Sequence, residues 1–266
     1  LAVTSAIAFL IFVIWEPTDD NPMVDLRVLR NRGLSISLVV LAISFGGYFA
    51  GFVIVPQWQQ AWLGFTATQA GYSSSFSAIA ALLTAPLVVL LMPRFDPRLL
   101  VSAGIVWLAV FGLMRTLWTT DSDFWTLSMP QFVMGLGMTF LMLPIMTLTL
   151  NTVEENEVAS AAGLQSFMRT IATAFATSIS LTYWSDTQRA TRNDIVAALE
   201  PGAAEGAISG LGFSPEAALQ MLSNMVEVEA TTLAVIHVFW TTSTILLVAA
   251  ALIWLAPRPK RRGGVS

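Results

Sequence analysis

Six polar side chains recur at helical spacing within one long apolar stretch, residues 158–184: Ser166, Arg169, Thr170, Thr173, Thr177 and Ser180. They form a single stripe. A guanidinium is a permanent cation with five N–H donors, and hydroxyls both donate and accept. Such a stripe suits an anionic or hydrogen-bonding group of a ligand. It equally suits an acid carried by a helix outside this chain. A third reading makes Arg169 a structural arginine that snorkels or bonds carbonyls between helices. The opposite face, Phe167, Ile171, Phe175 and Ile179, is apolar. A charge at membrane depth costs roughly 2.5–3.5 kcal/mol even on the lenient insertion scale. Arg169 is therefore expected to face protein or a wet cavity, not lipid.

Other residues join as candidates. Gln57, Gln60 and Gln131 sit near the outer ends of their helices, where they either line a vestibule or make interfacial hydrogen bonds. Met138, Met142 and Met146 share one helix face. Soft side chains suit varied apolar ligands, although ordinary packing explains the same spacing. Asp96-Pro97-Arg98 occupies an inner turn. There Asp96 can cap the next helix and Arg98 can hold the turn inside; a gating ion pair would need a partner helix. His237 stands alone near the outer end of the last apolar stretch, a packing residue or a group that titrates near neutrality. Gly71-Tyr72-Ser73-Ser74 with His237 is too little for an intramembrane serine protease. All seventeen acids fall in loops or at helix ends. This chain has no obvious intramembrane proton carrier, so any proton coupling relies on the rest of the protein. With one histidine and no cysteine, disulfides and thiolate metal sites are excluded, and no metal or cofactor is expected. No basic patch with interleaved aromatics points to nucleic acid.

The elements that carry these residues are membrane helices. Of 266 residues, 55% are hydrophobic and only 11% charged, and the mean hydropathy is +0.70. A soluble domain carries about 25% charged residues. Seven apolar stretches occur, near 1–15, 33–56, 68–92, 98–119, 125–150, 158–184 and 231–256. The last six reach the span of about 20 residues that a bilayer requires. The first reads as the end of a linker helix in a longer protein, and 16–32, opening Glu16-Pro17-Thr18-Asp19-Asp20, as a cytoplasmic linker. Lys and Arg set the orientation: nine fall in 16–32, the 93–98 turn and the tail 257–266, against Arg189 and Arg192 in 185–230. The tail and linker are thus expected inside, and 185–230 outside as the one sizeable extramembrane loop. Within it Ser214-Pro215-Glu216 predicts a helix running from about 215 towards the last span, with Leu219, Leu222 and Val226 as a short apolar stripe. The fold class is all-α: a six-helix half-bundle over 33–256, in two groups of three, with small residues such as Gly46, Gly47, Ala50 and Gly51 for close packing.

The order of motifs resembles the C-terminal half of the fourteen-helix drug:proton antiporters of the major facilitator superfamily, the EmrB/QacA-like group. Asn21-Pro22-Met23-Val24-Asp25-Leu26 through Arg32 is similar to the family's entry into this half. Pro56, Gln57, Gln60, Gly64, Ala70 and Gly71 match its next pattern, Asp96 and Arg98 its inner turn, and Pro130, Gln131, Gly135 and Pro144 the following one. Arg169 corresponds to the arginine of its Asn-x-x-Arg, with Ser166 in place of the asparagine; Phe76, Thr173 and Ala176 also depart from the family's pattern. The resemblance implies a multi-pass inner-membrane exporter of amphipathic compounds, coupled to protons and working by alternating access. It implies that 33–56, 68–92, 125–150 and 158–184 face a central cavity shared with an N-terminal half. It further implies that 185–230 meets a periplasmic adaptor of the membrane-fusion type. The rival from another class is a non-transporting membrane scaffold whose working part is the outer loop.

Overall fold

A computed structural model describes residues 31–153, 157–199 and 214–256. The expected linker helix 1–15, all but the end of the 16–32 linker, the acids Glu154 and Glu155, residues 200–213 and the basic tail 257–266 lie outside them.

Every regular element among the described residues is helical, and five of the six α-helices start at a side-chain cap. Helix α1 spans Arg32–Trp62, with Asn31 accepting from the amides of Gly33 and Leu34. Gly64, at φ +70°, turns the chain into α2, Ala67–Leu91, where Thr66 and Gln69 form a capping box. Helix α3 is Pro97–Gly112, capped by Asp96 and continued by a 3₁₀ segment, Leu113–Leu117. Helix α4 is Phe124–Leu150, capped by Asp123. The hydroxyl and then the amide of Thr126 hold that carboxyl below the usual aspartate pKa. Helix α5 is Val158–Ala198. Helix α6 is Pro215–Leu252, with Ser214 accepting from the amide of Ala217 at 3.3 Å.

Five of these helices, α3 counted with its 3₁₀ end, are long and apolar enough to cross a membrane. The chain is an integral membrane protein. The sixth, α5, departs from expectation: its 41 residues suffice in length, but its polar stripe makes it less apolar than a lipid-facing span. Two expected loops are also largely helical. Helix α1 continues through Pro56 to Trp62, because Trp58 and Trp62 pack into an aromatic cluster that holds the last turns. The 185–230 loop is helical at both ends. At 1.5 Å per residue α5 extends about 60 Å, twice the hydrocarbon thickness of a bilayer. Its end pairs with the start of α6 through Arg192 and Glu227, 3.0 Å apart, and through Gln188, which donates to Glu227 at 2.8 Å.

Three apolar clusters stack along the bundle. One joins the start of α1 to the end of α4 and the start of α5, around Leu34, Leu38, Val153 and Leu164. The middle one gathers Leu41, Phe45, Ile105, Leu141, Ile145 and Leu246. The third, at the end where α1 finishes (here the distal end), holds Ile54, Trp58, Trp118, Leu127 and Phe239. Successive helices therefore run in alternating directions.

Glycines decide which helices touch. On α1, a methyl at Gly46 would stand 2.8 Å from the Ala176 Cβ of α5, and one at Gly47 3.3 Å from Leu246 of α6. On α4, a methyl at Gly135 would collide with the Ser77 carbonyl of α2, and one at Gly137 with the Trp107 ring of α3. The α2–α4 seam is reinforced by the Thr139 hydroxyl, which donates to the Ala81 carbonyl at 3.0 Å. So α5 and α6 pack on α1 as α2 and α3 pack on α4. The two groups of three helices repeat one packing scheme, although no sequence repeat is visible between them. Helices α4 and α5 touch only sparsely.

Gly135→Ala is expected to lower the melting temperature of the detergent-solubilised protein, equivalent to about 1–3 kcal/mol of overpacking. Gly163→Ala, whose methyl enters open space, leaves it unchanged or slightly raised. Equal melting of the two variants contradicts the close α2–α4 seam.

Candidate functional site

The wedge between α4 and α5, floored by α1, forms an open-sided cavity of about 720 Å³. Helix α5 contributes Arg169, Thr170, Thr173, Ala174, Thr177, Ser178 and Leu181; α4 contributes Met138 and Met142, and α1 contributes Phe45 and Phe49. Five of the eight candidate cavity residues therefore meet in place or at its edge: Arg169, Thr170, Thr173, Met138 and Met142. Ser166 lies beside them, in a narrower recess of about 90 Å³ that also reaches Arg169 and Met142. The Arg169 guanidinium sits 5.9 Å from the centroid of the Phe45 ring. It is half-buried, and it makes no ion pair with any carboxylate among the described residues. The threonine hydroxyls donate to their own helix, Thr170 to the Ser166 carbonyl at 2.9 Å and Thr173 to the Arg169 carbonyl at 2.8 Å. Their oxygens keep acceptor capacity and their methyls remain available for apolar contact. The cavity thus offers one cation, a few hydroxyls, two thioethers and two aromatic faces.

The face of α5 that packs on α1 is not its polar stripe, and it leaves Phe175 and Ile179 outside. Leu164, Gln165, Ala172 and Ala176 turn toward α1 and the adjoining core, whereas Phe175 and Ile179 are 65% and 64% exposed. Ala172 and Ala176 make the closest part of this seam, and hydropathy patterning does not distinguish them from filler.

Gln131 and Gln57 do not belong to the cavity. Gln131 is buried in the distal third, where its Oε1 accepts a hydrogen bond from Nη2 of Arg115. Gln57 is exposed on α1, because the turns around it bury Trp58 and Gln59 instead. Neighbouring Gln60 is also exposed, and its amide donates to the Pro56 carbonyl at 3.0 Å. Gln59 donates to the Ser73 hydroxyl at 3.2 Å, linking α1 to α2. His237 is exposed on the outside of α6. Asp96 is an N-cap, accepting from the Arg98 amide at 3.0 Å, and the Arg98 side chain is buried.

Arg115 is the residue that sequence reasoning passed over. It is only 3% exposed, on the 3₁₀ end of α3. Its guanidinium lies 5.6 Å from the Trp118 ring centroid and 5.2 Å from that of Phe239, and it donates to Gln131. Two π faces and an amide oxygen thus stabilise a cation in a desolvated place. A methyl at Gly51 would stand 2.9 Å from its Nη1, so that glycine makes room for the arginine. The available signal was a second arginine within an apolar span, with a glycine and several tryptophans at the same depth. Charge counting alone gave it no role.

An all-helical bundle with one polar-striped helix along a membrane-depth cavity is the architecture of a polytopic transport protein. The sequence profile of the Major Facilitator Superfamily matches residues 1–177. The chain belongs to the major facilitator superfamily. It is 28% identical over 270 residues to the multidrug export protein EmrB of Escherichia coli K12, covering 99% of this chain and 53% of that protein. It is 25% identical to the probable multidrug resistance protein EmrY of the same organism, covering 100% of this chain and 53% of that protein. It is also 25% identical to the fatty acid resistance protein FarB of Neisseria gonorrhoeae, covering 99% and 53%. The chain spans about half the length of these curated relatives.

The two intramembrane arginines are expected to differ in stability. Arg115→Leu lowers the melting temperature, and a double-mutant cycle with Gln131→Leu gives a coupling of about 1.5–3 kcal/mol, as for a hydrogen bond to a charged group. Arg169→Ala leaves melting within about 0.5 kcal/mol of the parent. Equal destabilisation by both would mean that Arg169 is also structural.

Proposed function

We propose that the chain is one half of a multidrug exporter, with the Arg169 cavity as part of its substrate site. The observation that carries this reading is a half-buried guanidinium with no acid partner among the described residues, facing a cavity lined by methionines and aromatic rings. That combination suits amphipathic compounds: thioethers and rings accept varied apolar bodies, and the cation favours a negative or electron-rich head group. Names of the relatives support export as the activity, and one relative is named for resistance to fatty acids, whose head group is an anion.

In this reading the N-terminal half of the same transporter closes the open side of the wedge between α4 and α5. The two halves rock about a midplane site, exposing it to each side of the inner membrane in turn. Toxic amphiphiles leave in exchange for protons, and the proton-carrying acids belong to the other half, since no carboxylate among the described residues lines the Arg169 cavity. The basic tail lies in the cytoplasm, and the paired ends of α5 and α6 project outward, where they offer a surface to a periplasmic adaptor. Asp96 and Arg98 organise the inner turn.

Arg169→Ala in the full-length protein should insert and melt normally, yet reduce efflux of amphipathic substrates from a pump-deficient host by about tenfold or more, the effect of about 1.4 kcal/mol or more at the site. Arg169→Lys, which keeps the charge without the planar fork, should retain part of the activity. Undiminished efflux in Arg169→Ala would remove this residue from the site. Lost insertion would return it to a structural role.

A further inference from the structure

A second cavity, of about 890 Å³, lies at the distal end of the bundle, between the α3–α4 turn, the end of α5 and the first turns of α6. It is clear of the Arg169 cavity and shares no residue with it. Its apolar wall is Ile195, Met221, Met225 and Val226. Met225 is 58% exposed and Met221 45%, so two flexible thioethers stand open at its edge. Asp121 and Glu229 also line it, one from the turn and one from α6. Neither carboxylate forms an ion pair among the described residues, whereas nearby Glu227 is taken by Arg192.

The surroundings have the same sign. Asp121, Asp123, Asp186, Asp194, Glu216, Glu227 and Glu229 stand at this end, against Arg189, Arg192 and the buried Arg115. The potential over the cavity is therefore negative, the opposite of the membrane-depth cavity with its single arginine. Two carboxylates on different elements, facing one methionine-lined hollow, fit a compact positive charge carried on a hydrophobic body. We propose that this distal cavity binds amphipathic organic cations at a site separate from the Arg169 cavity. Binding there is modest, because both carboxylates are exposed and water and salt screen them. The assignment is independent of the transport reading.

The test uses the full protein in lipid nanodiscs with tetraphenylphosphonium as probe, and tetraphenylborate as a control of the same shape and opposite charge. Tetraphenylphosphonium should bind, and the combined Asp121→Asn, Glu229→Gln variant should weaken it about five- to tenfold, as loss of two exposed charge contacts implies. Rising salt should weaken it similarly in the parent and little in the variant. The amide variants replace exposed groups, and an unchanged melting temperature would show that they fold. Met225→Ala should weaken the probe through lost apolar contact. Unchanged affinity in the double amide variant, absence of probe binding, or equally tight tetraphenylborate binding that the same variant weakens would each overturn the proposal.

Discussion

Close approach of helix backbones at a few glycines is the constraint on which the rest of this structure depends. Lipid gives apolar helices no hydrophobic reason to associate, so contact must come from fit. Gly46 lets α5 settle on α1, and Gly135 lets α2 settle on α4. Each outer helix is thereby committed to its own central helix. Helix α5 cannot lie fully on both α1 and α4, and the gap that remains beside α4 is the cavity. The polar stripe lines that gap because its helix is anchored by another face.

The two intramembrane arginines show what this frame does with charge. Arg115 is surrounded: two aromatic rings, an amide oxygen and a glycine that yields space hold it in the distal core. Arg169 has one ring beneath it and a cavity beside it. The same side chain stabilises the bundle in one place and leaves binding capacity unused in the other. Burial and partners separate the two roles; residue type and hydropathy do not. The distal cavity extends the contrast, since its carboxylates favour the opposite sign of ligand from the arginine at membrane depth.

Much of the architecture was legible in the sequence. Apolar runs of spanning length, caps at Asp96 and Ser214, and prolines tolerated within helices gave the all-helical bundle and the start of α6 almost to the residue. The stripe on α5 could be read because a charge and its hydroxyls repeat with the helical period. Helix ends were less legible. Extension of α1 to Trp62 depends on tryptophans meeting partners from α3 and α6, and extension of α5 to Ala198 depends on Arg192 and Gln188 meeting Glu227. Such tertiary contacts leave no local trace. Gln131 was misplaced for the same reason: a polar group near a helix end says nothing about which neighbour it faces. Arg115 was missed because its partners come from two other helices.

Binding at Arg169 requires the wedge between α4 and α5 to be a wet, ligand-accessible cavity. The protein has no cysteine of its own, so single cysteines report without background. Thr173→Cys places a thiol in the cavity, and Phe175→Cys places one on the exposed face away from it. In membranes containing the full-length protein, a charged, water-soluble thiol reagent should label position 173 and not 175, and an amphipathic substrate should slow labelling at 173. An unreactive thiol at 173, or labelling there that no substrate slows, would exclude a ligand-accessible wedge.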